Sequence, residues 1–265
     1  DYLLSLLNAA LLLVWIAKAV PDIFQSFYSL GIALLFVLGA FVVHKTTSLK
    51  DPIILYSCIA LVFMGAATAF ELNGASLTIA FTLEAGILAL AATHLSRDTK
   101  TIVLSCLPML VPLLMGLVSL NAYAWRSSSV NVHFFVLLVL IATLVATFSR
   151  YMILNYKKGI NLVPLPQLSG LALLFYSCGF IWVWLESLLS NNDTAHMIAL
   201  FIYTLFGLGF YISGLEKKES AFSTMGGIIL GLVILRLFVV EAWNMSLGGR
   251  IITFFTIAIL LITTA

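Results

Sequence analysis

The 265-residue sequence is 62% hydrophobic and only 9% charged, with a mean hydropathy of +1.14. A soluble domain carries roughly a quarter charged residues, so this composition excludes a soluble globular protein and indicates an integral membrane protein. The formal net charge of +2 gives no basis for nucleic-acid binding, because the basic residues lie mainly in short loops between apolar runs. The bilayer is therefore the expected partner. Because the sequence starts and stops close to apolar runs, we expect it to be part of a longer chain.

Ten apolar runs are long enough to cross a bilayer as helices, which takes about 20 residues each. They predict an all-α, polytopic membrane fold. The predicted spans, in chain order, are Tyr2–Val20, Ile23–Val43, Ile53–Glu71, Ser76–Leu95, Thr101–Leu120, Val132–Leu154, Leu168–Leu189, Thr194–Leu215, Ala221–Trp243 and Arg250–Ala265.

The basic residues predict an orientation. Loops after the even-numbered spans hold nine of them, against three on the opposite side. An excess of Lys and Arg marks the cytoplasmic side, so that side and Asp1 are expected to be cytoplasmic. The two groups are Lys45, Lys50, Arg97, Lys100, Arg150, Lys157, Lys158, Lys217 and Lys218, and opposite them Lys18, Arg126 and Arg250.

Short matches recur at an offset of 120 residues, which separates Tyr56 from Tyr176 and Phe134 from Phe254. They predict two parallel four-helix repeats, related by an axis along the membrane normal. The first repeat would cover residues 45–155 and the second 168–265, joined by a cytoplasmic linker at 156–167. Residues 1–44 would be two spans from the tail of a preceding unit.

Two charges lie deep within predicted spans. Glu84 is near the middle of the fourth span and Arg236 lies in the ninth, at a similar expected depth in the outer half of the membrane. Charged groups at such depth are costly unless they are paired or face water, so they point to function. The two residues are expected to meet. The pair would fix the packing of the helices or line a path for substrate or protons. The remaining alternative is that the two charges snorkel or have unrelated partners.

Further charged residues lie at or near the predicted outer ends of spans, where they could ring an outward-facing vestibule. The alternative is that they are solvated helix ends without a shared role. The members of this candidate vestibule are Glu71, Glu186, Glu241 and Arg250.

Two segments that weaken helices fall at corresponding positions of the proposed repeats. Pro108 and Pro112 should kink the fifth span, because proline lacks an amide proton and clashes with the preceding turn. The matching part of the ninth span contains Gly226, Gly227 and Gly231, of which the last two form a small-xxx-small contact motif. Such interrupted helices can mark a binding site in transporters, although proline and glycine are also generally common in membrane helices.

No cofactor or metal is predicted. The sequence has no His-Glu-x-x-His motif, no paired cysteines and no glycine-rich phosphate loop, and its cysteines lie singly inside apolar runs. An active site would have to be assembled from dispersed residues, and no reaction is indicated.

Three segments resemble one family. Thr82-Leu83-Glu84-Ala85, the run from Ile234 to Glu241, and Arg250-Ile251-Ile252-Thr253-Phe254 are similar to bacterial polytopic membrane proteins catalogued as domain of unknown function 2339. The resemblance covers roughly residues 60–265. It implies a multi-span protein of the bacterial cytoplasmic membrane and no known activity.

Three functions fit these features. The first is a transporter or flippase-like protein for an envelope metabolite or lipid, with Glu84 and Arg236 lining an outward-facing polar cavity. The second is a scaffolding subunit of an envelope complex, whose charges only hold helices together. The third is an envelope transferase with an outward active site that uses Glu84 or Glu186 as a base. The first interpretation is favoured.

Overall fold

The computed structural model describes residues 2–46, 50–95, 98–157, 162, 164–189, 192–216, 220–237, 239 and 247–262. These residues form helices and turns, with no strand among them. The expected all-α class is therefore confirmed. The helices are α1 (Tyr2–Ala19), α2 (Asp22–Thr46), α3 (Lys50–Glu71), α4 (Gly74–Leu95), α5 (Thr99–Ser105), α6 (Leu110–Leu120), α7 (Val132–Lys157), α8 (Leu165–Leu188), α9 (Asn192–Glu216), α10 (Ser220–Arg236) and α11 (Leu247–Ile262).

Seven segments within the described ranges are long and apolar enough to cross a membrane. They correspond to α2, α3, α4, the broken segment Thr99–Arg126, α7, α8 and α9. Helices α1, α10 and α11 contain shorter apolar stretches, Leu4–Ala19, Phe222–Arg236 and Arg250–Ile259. Large apolar side chains are widely exposed on these helices, as expected for surfaces that face lipid.

The chain divides into two compact units, Asp1–Glu84 and Ala85–Ala265, with the boundary inside α4. We call them unit 1 and unit 2. The division predicted from the internal repeat uses other boundaries and stays a prediction.

Unit 1 is built from α1, α2, α3 and the first half of α4. Helices α2 and α3 pack closely along their length, and the buried core around Phe63 draws residues from α1, α2 and α3. The ring of Phe36 on α2 stacks on that of Phe63, with the centroids 6.2 Å apart. The tight turn from α3 into α4 depends on Gly74, whose φ of +61° favours glycine.

Unit 2 contains the second half of α4 and helices α5 to α11. One core cluster joins α6, α7 and α8 around Leu140, and another joins α8, α9, α10 and α11 around Leu200. Helix α9 packs against α8, α10 and α11. Helix α9 therefore provides a common packing surface for α8 and α10.

The fifth predicted span is broken at its prolines. Helix α5 ends at Ser105, a 3-10 turn covers Leu107–Met109, and α6 continues from Leu110. Pro108 lies in the first turn of the 3-10 segment and Pro112 is buried in the first turn of α6. The break follows from chemistry, because proline has no amide proton and its ring crowds the carbonyl four residues earlier. Whether it acts as a hinge stays a prediction.

Helix α10 runs without a break through its glycines. The contact motif predicted at Gly227 and Gly231 has no counterpart among the described residues and stays a prediction. A Cβ placed on either residue would have open space around it. The close approach is instead at Gly226, where a Cβ would lie 2.6 Å from the carbonyl oxygen of Gly207 and 2.7 Å from Cα of Tyr211. Helices α9 and α10 therefore touch backbone to backbone, as small residues allow in membrane bundles.

Candidate functional site

A half-open groove of 820 Å³ runs between α8 and α10 in unit 2. Both helices pack on α9, and the space left between them forms the groove. Leu200 and Tyr203 of α9 form its floor, while the end of α6 closes one side. The residues on α10 extend from Ile228 to Arg236, about 12 Å at 1.5 Å per residue, and Val239 lies beyond the end of that helix.

The groove is apolar along most of its length and opens on the exposed, apolar surface of the helices. The floor is buried, with Leu200 at 0% and Tyr203 at 8% exposure. The rim is exposed, with Phe175 at 56% and Leu232 at 60%. Its length is comparable with half of the roughly 30 Å hydrocarbon thickness of a bilayer.

One end of the groove is polar. The guanidinium carbon of Arg236 lies 3.4 Å from the centroid of the Trp182 ring, which is a close cation–π contact. Asn121 reaches the same groove from the end of α6, where its side-chain amide donates to the carbonyl oxygen of Leu117 at 3.0 Å. An apolar channel that ends at a cation, an indole and an amide can hold an amphiphile.

A second aromatic contact organises this end. The imidazole of His196 on α9 stacks on Trp182, with the centroids 4.5 Å apart and the planes at 27°. The Nε2 atom of His196 lies 3.1 Å from Oε1 of Glu186, whose side chain is 41% exposed. Trp182 therefore contacts both a histidine held by a carboxylate and the guanidinium of Arg236.

Tyr203 holds α9 against α8 beneath the groove. Its hydroxyl donates to the backbone carbonyl oxygen of Cys178 at 2.5 Å. This bond ties the floor to the α8 wall and satisfies a polar group in a buried position.

A second cavity of 400 Å³ lies on another side of α8, between α7, α9 and α10. Leu174 and Cys178 line both cavities, so α8 separates them. The lining of the second cavity is almost entirely apolar and includes no charged residue among those described.

The structure places Glu84 and Arg236 in different units, each with a partner in its own unit. Glu84 lies in α4, and the Thr68 hydroxyl of α3 is 2.5 Å from its Oε1 atom. Arg236 ends α10 and contacts Trp182. The predicted pairing of Glu84 with Arg236 stays a prediction.

Of the other predicted site residues, Glu71 and Glu186 have separate local partners. Glu71 ends α3 and accepts a hydrogen bond from the Ser26 hydroxyl at 3.1 Å. Arg250 lies in the first turn of α11 and Glu241 lies outside the described residues. The vestibule they were expected to form therefore stays a prediction. Within the described ranges, no group of three or more His, Cys, Asp or Glu side chains is arranged to hold a metal.

Trp182, His196 and Tyr203 belong to this site but were not predicted from the sequence. One signal was present: Trp182 and Glu186 are four residues apart and so share one face of α8. His196 gave no such signal, because it reaches this face from the next helix.

Comparisons of the chain with family models, with curated proteins and with solved structures find no match. The groove and its polar end therefore provide the functional argument.

Proposed function

We propose that the protein is a transporter or flippase-like membrane protein whose groove between α8 and α10 binds an amphiphilic envelope lipid or metabolite. The apolar tail lies along the groove and an anionic head group lies at Arg236. The single observation that carries the proposal is the apolar groove, open on its exposed side, that ends at Arg236, Trp182 and Asn121.

The dimensions and chemistry support this occupant. The length of the groove suits a single hydrocarbon tail, because it is comparable with the hydrocarbon depth of one leaflet. Because the groove is open along one side, a tail could enter it directly from the bilayer. A guanidinium binds phosphate or carboxylate through charge-assisted hydrogen bonds in a fixed fork geometry. Indole rings such as that of Trp182 are enriched at the level of lipid head groups.

We also propose that the chain has ten spans in a bacterial cytoplasmic membrane, that eight of them form two parallel four-helix repeats, and that Asp1 lies on the cytoplasmic side. The basic loops support the orientation. Cysteines introduced at Asn73 and Ser128 should react with an impermeant thiol reagent outside intact cells, whereas cysteines at Lys50 and Lys218 should be shielded. The reverse labelling pattern contradicts the orientation.

Binding can be tested with purified protein in nanodiscs, by measuring the occupancy of phosphatidylglycerol and phosphatidylcholine by native mass spectrometry. Arg236→Gln should weaken the binding of phosphatidylglycerol, the anionic lipid, by about tenfold or more, since a hydrogen bond to a charged group contributes about 1.5–3 kcal/mol. Leu232→Trp should reduce the occupancy of both lipids, because the larger side chain fills the groove. Leu34→Trp is the matched control, because Leu34 is an exposed leucine on α2 outside the groove.

Unchanged occupancy in both groove variants contradicts the lipid site. Movement is tested separately in proteoliposomes with a fluorescent anionic lipid. If binding is retained but lipid does not cross between leaflets, the protein is a lipid-binding scaffold and not a flippase.

A second candidate function is an envelope transferase, which the Glu186–His196 contact favours. A histidine oriented by a carboxylate is a typical general-base arrangement. In that case Glu186→Gln and His196→Gln should leave lipid occupancy unchanged while stopping turnover of a lipid-linked substrate. Equal loss of binding in both variants argues for a purely structural contact.

A further inference from the structure

A carboxyl group lies at the middle of α4, far from both ends of the helix. Glu84 is the eleventh of 22 residues in α4, which places it about 15 Å from either end. The segment Gly74–His94 is apolar enough to span a membrane. A charge at this depth needs a compensating group or a proton.

The partner of Glu84 in unit 1 is a hydroxyl group and not a cation. Thr68 Oγ1 lies 2.5 Å from Glu84 Oε1. In unit 1, no Lys, Arg or His side chain among those that the structure describes lies within 4.0 Å of the Glu84 carboxylate.

The geometry at Thr68 accommodates both protonation states of Glu84. Thr68 Oγ1 is also 3.1 Å from the carbonyl oxygen of Met64, but a threonine hydroxyl has only one hydrogen to donate. When Glu84 is ionised, that hydrogen points to the carboxylate. When Glu84 is protonated, the carboxyl group donates to Thr68 and the hydroxyl donates to Met64. No heavy atom has to move.

Further polar groups lie between Thr68 and the nearby helix end. Glu71 ends α3, one turn beyond Thr68, and accepts the hydrogen bond from Ser26 of α2. One turn deeper on α2, the hydroxyl of Ser29 is fully buried and has no hydrogen-bond partner within the described residues. Tyr28 beside it points outward, at 54% exposure. The other titratable groups of α2 and α3 lie farther along their helices: Asp22, His44, Lys45, Lys50, Asp51, Tyr56 and Cys58.

We propose that Glu84 is a proton-binding site within the membrane, which exchanges its proton through the end of α3 marked by Glu71. The hydroxyls of Thr68, Ser26 and Ser29 provide the hydrogen-bonding groups along this route. The inference concerns unit 1 and holds independently of the groove in unit 2.

The test uses dicyclohexylcarbodiimide, a hydrophobic reagent that modifies protonated carboxyl groups. The carboxyl oxygen bonds to the central carbon of the reagent while the carboxyl proton moves to a reagent nitrogen. The acyl group then shifts from oxygen to nitrogen to give a stable acylurea, and nothing leaves. The full chain is labelled in nanodiscs across a series from mildly acidic to mildly basic pH, and the adducts are located by peptide mass mapping.

We expect an adduct on Glu84 that increases with acidity, and none at that position in Glu84→Gln. Glu84→Asp keeps a carboxyl group and should still be labelled, which separates loss of the group from loss of the fold. Thr68→Val removes the donor to the carboxylate and should extend labelling to higher pH. Glu71→Gln should slow the fall in labelling after a jump to basic pH.

A water-soluble carbodiimide with a charged amine provides the control. It should modify the exposed Glu186 and leave Glu84 unmodified. The proposal is overturned if Glu84 forms no adduct at any pH, as an ion pair with Arg236 would cause. It is also overturned if labelling is independent of pH, or if the water-soluble reagent modifies Glu84.

Discussion

The contact between α9 and α10 allows two neighbouring glycines to be compared directly. Gly226 faces α9, whereas Gly227 is turned about 100° around α10 and faces open space. Replacing each by alanine adds the same methyl group to the same helix. Only the surroundings of that group differ.

The expected effects have opposite signs. At Gly226 the new Cβ would lie 2.6 Å from the carbonyl oxygen of Gly207 and 2.7 Å from Cα of Tyr211, both backbone atoms that no side-chain rotation can move. Normal carbon contacts are about 3.5–4.0 Å, so α9 and α10 must separate by roughly 1 Å. Overpacking typically costs about 1–3 kcal/mol, and these contacts put the cost at the upper end.

The helix propensity of alanine offsets about 1 kcal/mol of that cost. We therefore expect Gly226→Ala to lower the free energy of unfolding by about 2 kcal/mol. At Gly227 only the propensity gain applies, so Gly227→Ala should be neutral or more stable by up to about 1 kcal/mol.

Thermal unfolding of the purified protein in detergent, followed by circular dichroism, measures the difference between the two variants. Gly231→Ala is a second control on the open side and should behave like Gly227→Ala. Equal unfolding temperatures for Gly226→Ala and Gly227→Ala would refute the backbone contact between α9 and α10.

Three further predictions concern single contacts in unit 2. Trp182→Leu removes the aromatic face that contacts two groups and should lower the free energy of unfolding by about 1–2 kcal/mol; an unchanged melting curve would contradict the stacking. Tyr176→Phe removes a hydrogen bond to the backbone carbonyl oxygen of Leu113 and should lower the free energy of unfolding by about 0.5–1.5 kcal/mol. The same change at the exposed Tyr123 should have little effect. A double-mutant cycle on Glu186 and His196 should give a coupling energy of about 0.2–1 kcal/mol, because Glu186 is partly exposed, and a coupling near zero would argue against the contact.

Most helices could be predicted from the lengths of the apolar runs in the sequence. The predicted span Ser76–Leu95 is the helix Gly74–Leu95, and the predicted span Thr194–Leu215 is Asn192–Glu216. The ends of these helices could be predicted because polar residues and turns interrupt the long apolar runs. The break at Pro108 is likewise a local effect of proline on the helix. By contrast, in the 3-10 turn Tyr123–Arg126 the Trp125 indole donates a hydrogen bond to the backbone carbonyl oxygen of Ser119. No local sequence pattern predicts this bond.

The site was less predictable, because it depends on which helices become neighbours. Arg236 was singled out by its charge, but its contact with Trp182 requires α8 and α10 to share α9 as a common surface. Apolar composition makes every face of these helices look similar, so the sequence does not specify those neighbours. For the same reason the spacing of Gly227 and Gly231 suggested a contact, whereas the close contact that the described residues show lies at Gly226.

The most direct test of the lipid groove is photo-crosslinking with an anionic phospholipid that carries a photoreactive group in its acyl chain. After irradiation in nanodiscs and digestion, the adducts are mapped by mass spectrometry. We predict adducts on the groove residues Phe175, Ile228 and Leu232, with loss of these adducts in Arg236→Gln and their retention in Leu34→Trp. Adducts spread evenly over exposed residues of all the helices, unchanged by Arg236→Gln, would contradict a specific lipid site.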